Sequence, residues 1–232
     1  RRTLRSESTP MGFGAARPAP KATMLVGLIG RASDAANAAA ADVVVIDGNA
    51  SADDVSRAKG ANGATVVGLA AKDADRASLA KLREAGLDFL IFDPESTPAS
   101  ALLEDDLGFV LALPSKPEDD LFRSLDALQL DALYVEEVPS PLTVARGLQL
   151  MRGRRPILAR VKASAPKDDL ETLRAAGVAV LLVEDAGAIA ALKETVLALP
   201  PRRVRRDDRP GISVPRTAVQ PEQHPEEDDD DD

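Results

Sequence analysis

Residues 156–183, PILARVKASAPKDDLETLRAAGVAVLLV, contain the pattern that decides the fold. Two short apolar runs, 156–161 and 178–183, flank a stretch with helical spacing that ends in a glycine. Short and nearly continuous apolar runs are typical of parallel strands that are buried on both faces. The segment therefore predicts one strand–helix–strand unit of a parallel sheet.

The same alternation extends through residues 23–200. Apolar runs recur at 23–29, 42–47, 64–70, 88–93, 108–113, 131–136, 156–161 and 178–183. Helical features appear at 31–40, 51–60, 73–86, 117–128, 141–153, 166–177 and 186–199. We interpret this as eight strand–helix units, which predict a minimal closed (β/α)8 TIM barrel, with an open doubly wound sheet as the alternative. All eight runs are comparably apolar, whereas edge strands usually carry charge or proline, so the closed barrel is favoured.

An internal repeat supports this prediction. Residues 82–96, LREAGLDFLIFDPES, match residues 173–187, LRAAGVAVLLVEDAG, at an offset of 91 residues. This offset is about half of the predicted barrel, so the fourth unit corresponds to the eighth. The repeat predicts two related half-barrels.

The segment LREAGLDFLIFD, residues 82–93, resembles the helix–strand passage of many (β/α)8 enzymes that bind phosphorylated or flavin ligands. The resemblance is at the level of the fold, and it implies a TIM barrel without naming one family. Those enzymes usually hold a phosphate on glycine-rich turns after the seventh and eighth strands. Here the glycine pair is missing, and Glu184 and Asp185 would repel a phosphate at the eighth.

Composition excludes several classes of function. The 232 residues include no cysteine, which excludes disulfide scaffolds, thiolate metal sites and cysteine nucleophiles. A single histidine makes a histidine triad improbable, and a net charge of −9 with 3% aromatic residues opposes nucleic-acid binding. The longest apolar runs are far too short to span a membrane. We expect a cytoplasmic protein, and the sequence identifies no cofactor.

Both ends of the chain differ from the middle. Residues 1–22 are rich in Arg, Pro, Gly and Ala without hydrophobic periodicity, and they predict a disordered arm. Residues 201–232 begin with a basic cluster and end in the acidic run 226–232, so they predict a disordered charged tail. The tail has two interpretations: it binds a basic protein partner, or it only increases solubility.

Polar residues gather at the C-terminal ends of the predicted strands, where TIM barrels carry their active sites. The even-numbered runs end in or just before a carboxylate, at Asp47, Asp93, Glu136 and Glu184. Lys72 follows the third run, and Lys162 follows the seventh. One hypothesis makes the four carboxylates ligands of Mg²⁺, although the nearby basic residues would compete with the metal and we predict no metal site.

The seventh run is the most informative of the eight. Its alternation places Arg160 and Lys162 on one face, and a charge cannot face the helix layer cheaply, so we predict that both point into the barrel. Tyr134 and Glu136 share a face of the sixth run, and Glu184 ends the eighth. If these faces also point inward, the five side chains form one cluster.

Two functions are consistent with this cluster. In the first, the protein is a lyase or isomerase acting on a small anionic metabolite, with Lys162 as a Schiff-base nucleophile and Tyr134 or Glu136 moving protons. The residues that would bind the substrate are Arg160, Glu184, Lys72, Asp47 and Asp93. In the second, the cluster is a salt-bridged plug, and the barrel is a non-catalytic binding or scaffold module.

Overall fold

Eight parallel strands form a closed barrel in the computed structural model, which describes residues 24–35, 38–61, 66–113, 130–136 and 155–200. The strands are β1 Leu25–Gly30, β2 Val43–Asp47, β3 Val66–Ala70, β4 Phe89–Phe92, β5 Gly108–Leu113, β6 Ala132–Val135, β7 Ile157–Arg160 and β8 Val178–Val183. Each strand pairs in parallel with the next along the chain. The predicted (β/α)8 TIM barrel is therefore confirmed, with every strand inside or within one residue of its predicted run.

Ring closure depends on the pairing of the first strand with the last. Leu25 of β1 lies opposite Val180 of β8, and Leu28 lies opposite Val183. In an open doubly wound sheet these two strands would not pair around a closed ring, so that alternative is wrong. Closure also brings the C-terminal ends of all eight strands around one centre, which is the geometry that the site requires.

Alternate residues of the strands fill the inside of the barrel. The interior cluster consists of Ile29, Val43, Val45, Phe89, Ile91, Val110, Ala132, Tyr134, Leu158, Val180 and Leu182. Phe89 is the largest apolar residue in it, and the absence of a side chain at Gly68 makes room for the ring. A Cβ atom at Gly68 would lie 2.2 Å from the ring of Phe89. The interior is thus a packed core and not a pore.

The opposite faces of the strands pack under the helices. The described helices are α1 Ala32–Ala35, α2 Ala52–Ala61, α3 Arg76–Glu84, α4 Lys167–Ala176 and α5 Ile189–Leu197. Leu79 of α3 and Leu170 of α4 are fully buried, because the apolar residues of each helix recur on its inner face. Gly86 and Gly177 follow α3 and α4 with φ angles of 108° and 103°, a left-handed conformation that glycine adopts readily at helix ends.

The fourth unit differs from the prediction of eight helices. In place of a helix, β4 is followed by a short 3₁₀ helix, Ala99–Leu103. The buried carboxylate of Glu104 fixes this segment to α3, through Arg76 at 3.5 Å and Arg83 at 3.3 Å. The ion pairs of Glu104 therefore attach this segment to α3, whereas the described helices are attached by apolar packing.

Several predicted features lie outside the described residues or stay untested. The helices predicted at 117–128 and 141–153, the arm at 1–22 and the tail at 201–232 are outside them. The predicted helix at 31–40 is observed as the single turn α1. The halves of the repeat occupy equivalent positions on α3–β4 and α4–β8, while a common origin of the two half-barrels stays a prediction. In the described parts of the chain, no helix has both the length and the apolar composition that crossing a membrane requires.

Candidate functional site at the strand C-termini

The acidic strand ends are located as the sequence predicts. Asp47 is the last residue of β2, and Asp93, Glu136 and Glu184 directly follow β4, β6 and β8. All four therefore lie at the C-terminal end of the barrel, which we call the mouth. They differ in what their carboxylates contact, and this difference separates a central group from a peripheral one.

Arg160, the last residue of β7, lies at the mouth between the acidic ends of β6 and β8. One nitrogen of its guanidinium donates to Glu136 Oε1 at 3.3 Å, and another donates to Glu184 Oε1. The hydrogen bond to Glu184 raises the pKa of Arg160 above its ordinary value, although partial burial opposes this. The side chain is 29% exposed, so a ligand in the mouth can reach it. Arg160 is thus a held, permanently charged group that faces solvent.

Tyr134 lies beneath Arg160, with only 5% of the residue exposed. Burial raises the pKa of its phenol to about 12, and the carboxylates of Glu136 and Asp47 add to the rise, while Arg160 opposes it. The phenol therefore keeps its proton at neutral pH. The sequence prediction that Tyr134, Glu136, Arg160 and Glu184 meet agrees with this arrangement.

Lys162, which the sequence predicts to point into the barrel, lies two residues beyond the end of β7. Hydrogen bonding between β7 and β8 extends to Val161, whose N–H donates to the Leu182 carbonyl at 2.9 Å. Lys162 lies beyond this point, so the alternation of the strand no longer fixes its direction. Its side chain is exposed and makes no hydrogen bond or ion pair with any residue that the structure describes.

The remaining predicted residues lie around the rim. Asp93 uses both carboxylate oxygens within its own turn, accepting from the Glu95 N–H at 3.0 Å and the Ser96 hydroxyl at 3.2 Å. Lys72 is exposed, and its carbonyl accepts a hydrogen bond from Thr97 at 3.3 Å. Asp47 is exposed as well. All three residues lie at or just after the C-terminal ends of strands, as Arg160 does. No hydrogen bond or ion pair among the described residues joins them to Arg160.

One hypothesis makes the four strand-end carboxylates ligands of Mg²⁺. Among the described residues, no three acidic or histidine side chains are arranged so that they could hold one metal ion. Arg160 lies between Glu136 and Glu184, and its charge opposes a cation at that point. The Mg²⁺ hypothesis therefore gains no support from the described residues and stays untested.

One basic residue of the mouth was missed in the sequence. Arg31 directly follows β1 and is exposed. With Lys72 after β3 and Arg160 in β7, basic residues follow or end three odd-numbered strands, while acids follow or end the even-numbered ones. The signal was available, because Arg31 is the first charged residue after the first apolar run.

Comparisons with known proteins identify the fold but not a family. No family model matches the chain, and no curated protein matches it in sequence. KGPDC from Streptococcus mutans has a similar structure, with a TM-score of 0.62 and 12% identity over 76% of this chain and 99% of that one. Dihydropteroate synthase from Xanthomonas albilineans has a TM-score of 0.53 and 14% identity, over 76% of this chain and 94% of that one. A glycerol uptake operon antiterminator-related protein from Thermotoga maritima has a TM-score of 0.55 and 13% identity, over 72% of this chain and 99% of that one.

These identities are too low to transfer an activity or a site residue. What the similar structures and the closed ring of parallel strands support together is the architecture. This chain is a (β/α)8 TIM barrel.

Proposed function

We propose that the mouth of the barrel binds a small anionic metabolite and that the protein acts on it as a lyase or isomerase. The observation that carries the proposal is the arrangement around β7: Glu136 and Glu184 hold Arg160 at the mouth, and Lys162, which pairs with none of the described residues, follows two residues later. In TIM barrels the C-terminal end of the strands is where substrates bind. Two proteins of similar fold were solved in complex with D-R5P and with 7,8-dihydropteroate, which is compatible with a small ligand here.

Charge in the mouth favours a ligand with a single negative charge. An incoming carboxylate would compete with Glu184 for the guanidinium of Arg160, since both can accept its paired N–H groups. Glu136 and Asp47 would repel a dianion more strongly than a monoanion. The exposed ammonium groups of Lys162 and Lys72 offset part of this repulsion. A carboxylate is therefore a better match than a phosphate, which also agrees with the missing glycine turns.

Lys162 is the residue that we expect to react. An uncharged lysine amine can add to a substrate carbonyl and lose water, which forms an imine that withdraws electrons from the neighbouring carbon. Glu136 is the proton carrier in this scheme, because its carboxylate is exposed beside the guanidinium. Tyr134 keeps its proton at neutral pH, so we assign it to hydrogen bonding next to Arg160 and not to proton transfer.

Borohydride trapping tests the reaction. The protein is incubated with a panel of small keto and aldehyde carboxylates, reduced, and digested for peptide mass analysis. We expect a reduced adduct on Lys162 and its loss in K162A. The matched control is K81A, because Lys81 is an exposed lysine in the last turn of α3, away from the mouth. An adduct pattern that is the same in wild type and K162A would remove Lys162 from the mechanism.

A second function is favoured by one observation. Arg160 already has a carboxylate on each side, so the described residues at the centre of the mouth satisfy one another without a ligand. A non-catalytic binding or scaffold module would need nothing more. The partner predicted for the acidic run 226–232, a basic protein, stays part of this alternative because the tail lies outside the described residues. Thermal shifts with monocarboxylates that disappear in R160M would favour the first function over this one.

A further inference from the structure

Arg174, in the last turn of α4, is a buried charge without a counter-charge. The residue is 6% exposed, and its Nε atom is fully buried without a hydrogen-bond partner. No hydrogen bond or ion pair joins its side chain to any residue in the described ranges. A buried guanidinium nitrogen without a hydrogen-bond partner is unfavourable, because it has lost its hydration without a replacement. An anion at this position would supply the missing partner.

The first half of the barrel shows what that anion replaces. Arg83 occupies the equivalent position in the repeat, in LREAG at 82–86 against LRAAG at 173–177. Its guanidinium contacts Glu104 at 3.3 Å and donates to the Asp105 carbonyl at 3.3 Å. An arginine at this place in the unit is thus neutralised by a buried carboxylate from the segment that follows the next strand.

The second half lacks this carboxylate. Beyond the matched residues 82–96 and 173–187, continuing the offset of 91 residues brings Glu104 to Thr195 of α5, a helix that packs against α4. The Thr195 hydroxyl donates to the Ala191 carbonyl at 2.9 Å, so it is used within its own helix. Thr195 also carries no charge. The second half therefore keeps the arginine of this ion pair but has no carboxylate at the corresponding position.

We infer that Arg174 binds a small oxyanion between α4 and α5. The planar fork of a guanidinium matches the two oxygens of a carboxylate or a phosphate, and this match is strongest where water is excluded. The site is separate from the mouth, because α4 begins after the C-terminal end of β7 and Arg174 lies at its far end, just before β8. The inference therefore stands or falls independently of the proposed function.

Thermal unfolding in the presence of inorganic phosphate tests the inference. The titration is made at constant ionic strength with sodium chloride, and a parallel titration uses sulfate, because a monocarboxylate such as acetate is expected to bind at the mouth as well. We expect the wild-type melting temperature to rise with one or both anions, and the stronger of the two identifies the preferred oxyanion. In R174M the response should vanish. Without anions this variant should melt higher than wild type, by roughly 3 °C, since a Met side chain removes the unpaired charge while filling similar space.

T195E supplies the missing carboxylate from α5. We expect it to melt higher than wild type without anions and to respond to neither of them. R57M is the matched control, because Arg57 is an exposed arginine on α2, and it should respond as wild type does. If R174M or T195E keeps the wild-type response, the anion binds elsewhere and the inference is overturned. A wild-type protein that responds to neither anion overturns it as well.

Discussion

The two ends of β2, β4 and β6 both carry an acidic residue, with different consequences. An aspartate immediately precedes each of these strands, at Asp42, Asp88 and Asp131. Each carboxylate accepts a hydrogen bond from a backbone N–H of the preceding strand: Asp42 from Val26 at 3.0 Å, Asp88 from Val67 at 2.8 Å and Asp131 from Phe109 at 2.9 Å. Each aspartate N–H also donates to the carbonyl of that same residue. Three pairs of strands are thus closed at their N-terminal ends by a two-bond ring.

At the mouth, the acids that end or follow the even-numbered strands make no such hydrogen bond with the backbone of a neighbouring strand. Glu136 and Glu184 contact only Arg160 among the described side chains, Asp93 closes its own turn, and Asp47 projects into solvent. The comparison separates stability from function within single strands: the N-terminal acid satisfies buried backbone, and the C-terminal acid is available to a ligand. This division is general for TIM barrels, whose lower face serves stability.

The largest change in the free energy of unfolding is expected for Asp42, the aspartate before the N-terminal end of β2. D42A removes the acceptor of the buried Val26 N–H and the ion pair with Lys193 at 2.7 Å, so it should lower the free energy of unfolding by about 2 kcal/mol. D47A, on the same strand, should change it by less than about 0.5 kcal/mol, because Asp47 is exposed and makes no described contact. Urea unfolding followed by circular dichroism measures both variants. Equal losses in D42A and D47A would contradict the division between the two ends.

The next largest effect on stability concerns Tyr134, which is buried under the mouth. The pKa of Tyr134 is raised from 10 to about 12 because its phenolate would be buried. The unfolded chain therefore releases this proton first as the pH rises, and the contribution to stability is complete below pH 10 and is lost as the pH approaches 12. At pH 11 the loss should be about 1 kcal/mol. Y134F should lack this component of the alkaline decline.

The chain is well suited to this measurement. Tyr134 is its only tyrosine, and it has no tryptophan, so the ultraviolet absorbance of the ionised phenol reports a single group. A native titration midpoint near 12 is expected, against a midpoint near 10 in concentrated urea. A native midpoint at the ordinary value would mean that the layer beneath Arg160 is open to water, and that the mouth extends deeper than its described residues indicate.

The fold could be predicted from the sequence because each strand is signalled locally. A continuous run such as VAVLLV at 178–183 has no polar residue on either face, and only a strand covered on both sides satisfies that pattern. The aspartates before β2, β4 and β6 are the first residues of their apolar runs, and local pattern does not reveal what their carboxylates contact. Their role depends on register, since the accepting carboxylate and the donating N–H are on different strands.

Other features could not be predicted from local pattern. Strand alternation predicts that Lys162 points into the barrel, and this stays a prediction because β7 ends at Arg160 and alternation holds only within a strand. The 3₁₀ helix after β4 depends on Glu104 reaching Arg83, which is 21 positions earlier in the chain. Arg174 has the pattern of a solvated helix residue, and its burial results from packing between elements. In each case the deciding contact is tertiary.

A small effect on stability is expected at Arg160, in the mouth. R160M breaks the contacts with Glu136 and Glu184, whose side chains are 71% and 64% exposed and are therefore well hydrated without the guanidinium. Exposed ion pairs contribute little, so we expect the free energy of unfolding to change by less than about 1 kcal/mol. Binding of a monocarboxylate, measured by calorimetry, should be lost in the same variant.

Combining the two measurements on R160M distinguishes the functions left open for this barrel. A small change in stability together with lost binding means that the arginine is held for a ligand. A loss of stability comparable to that of D42A would mean that the Glu136–Arg160–Glu184 cluster acts as a structural plug, and that both ends of the barrel serve the fold. R160K is the informative companion, since lysine keeps the charge but not the planar fork, so it should retain stability and bind a carboxylate more weakly.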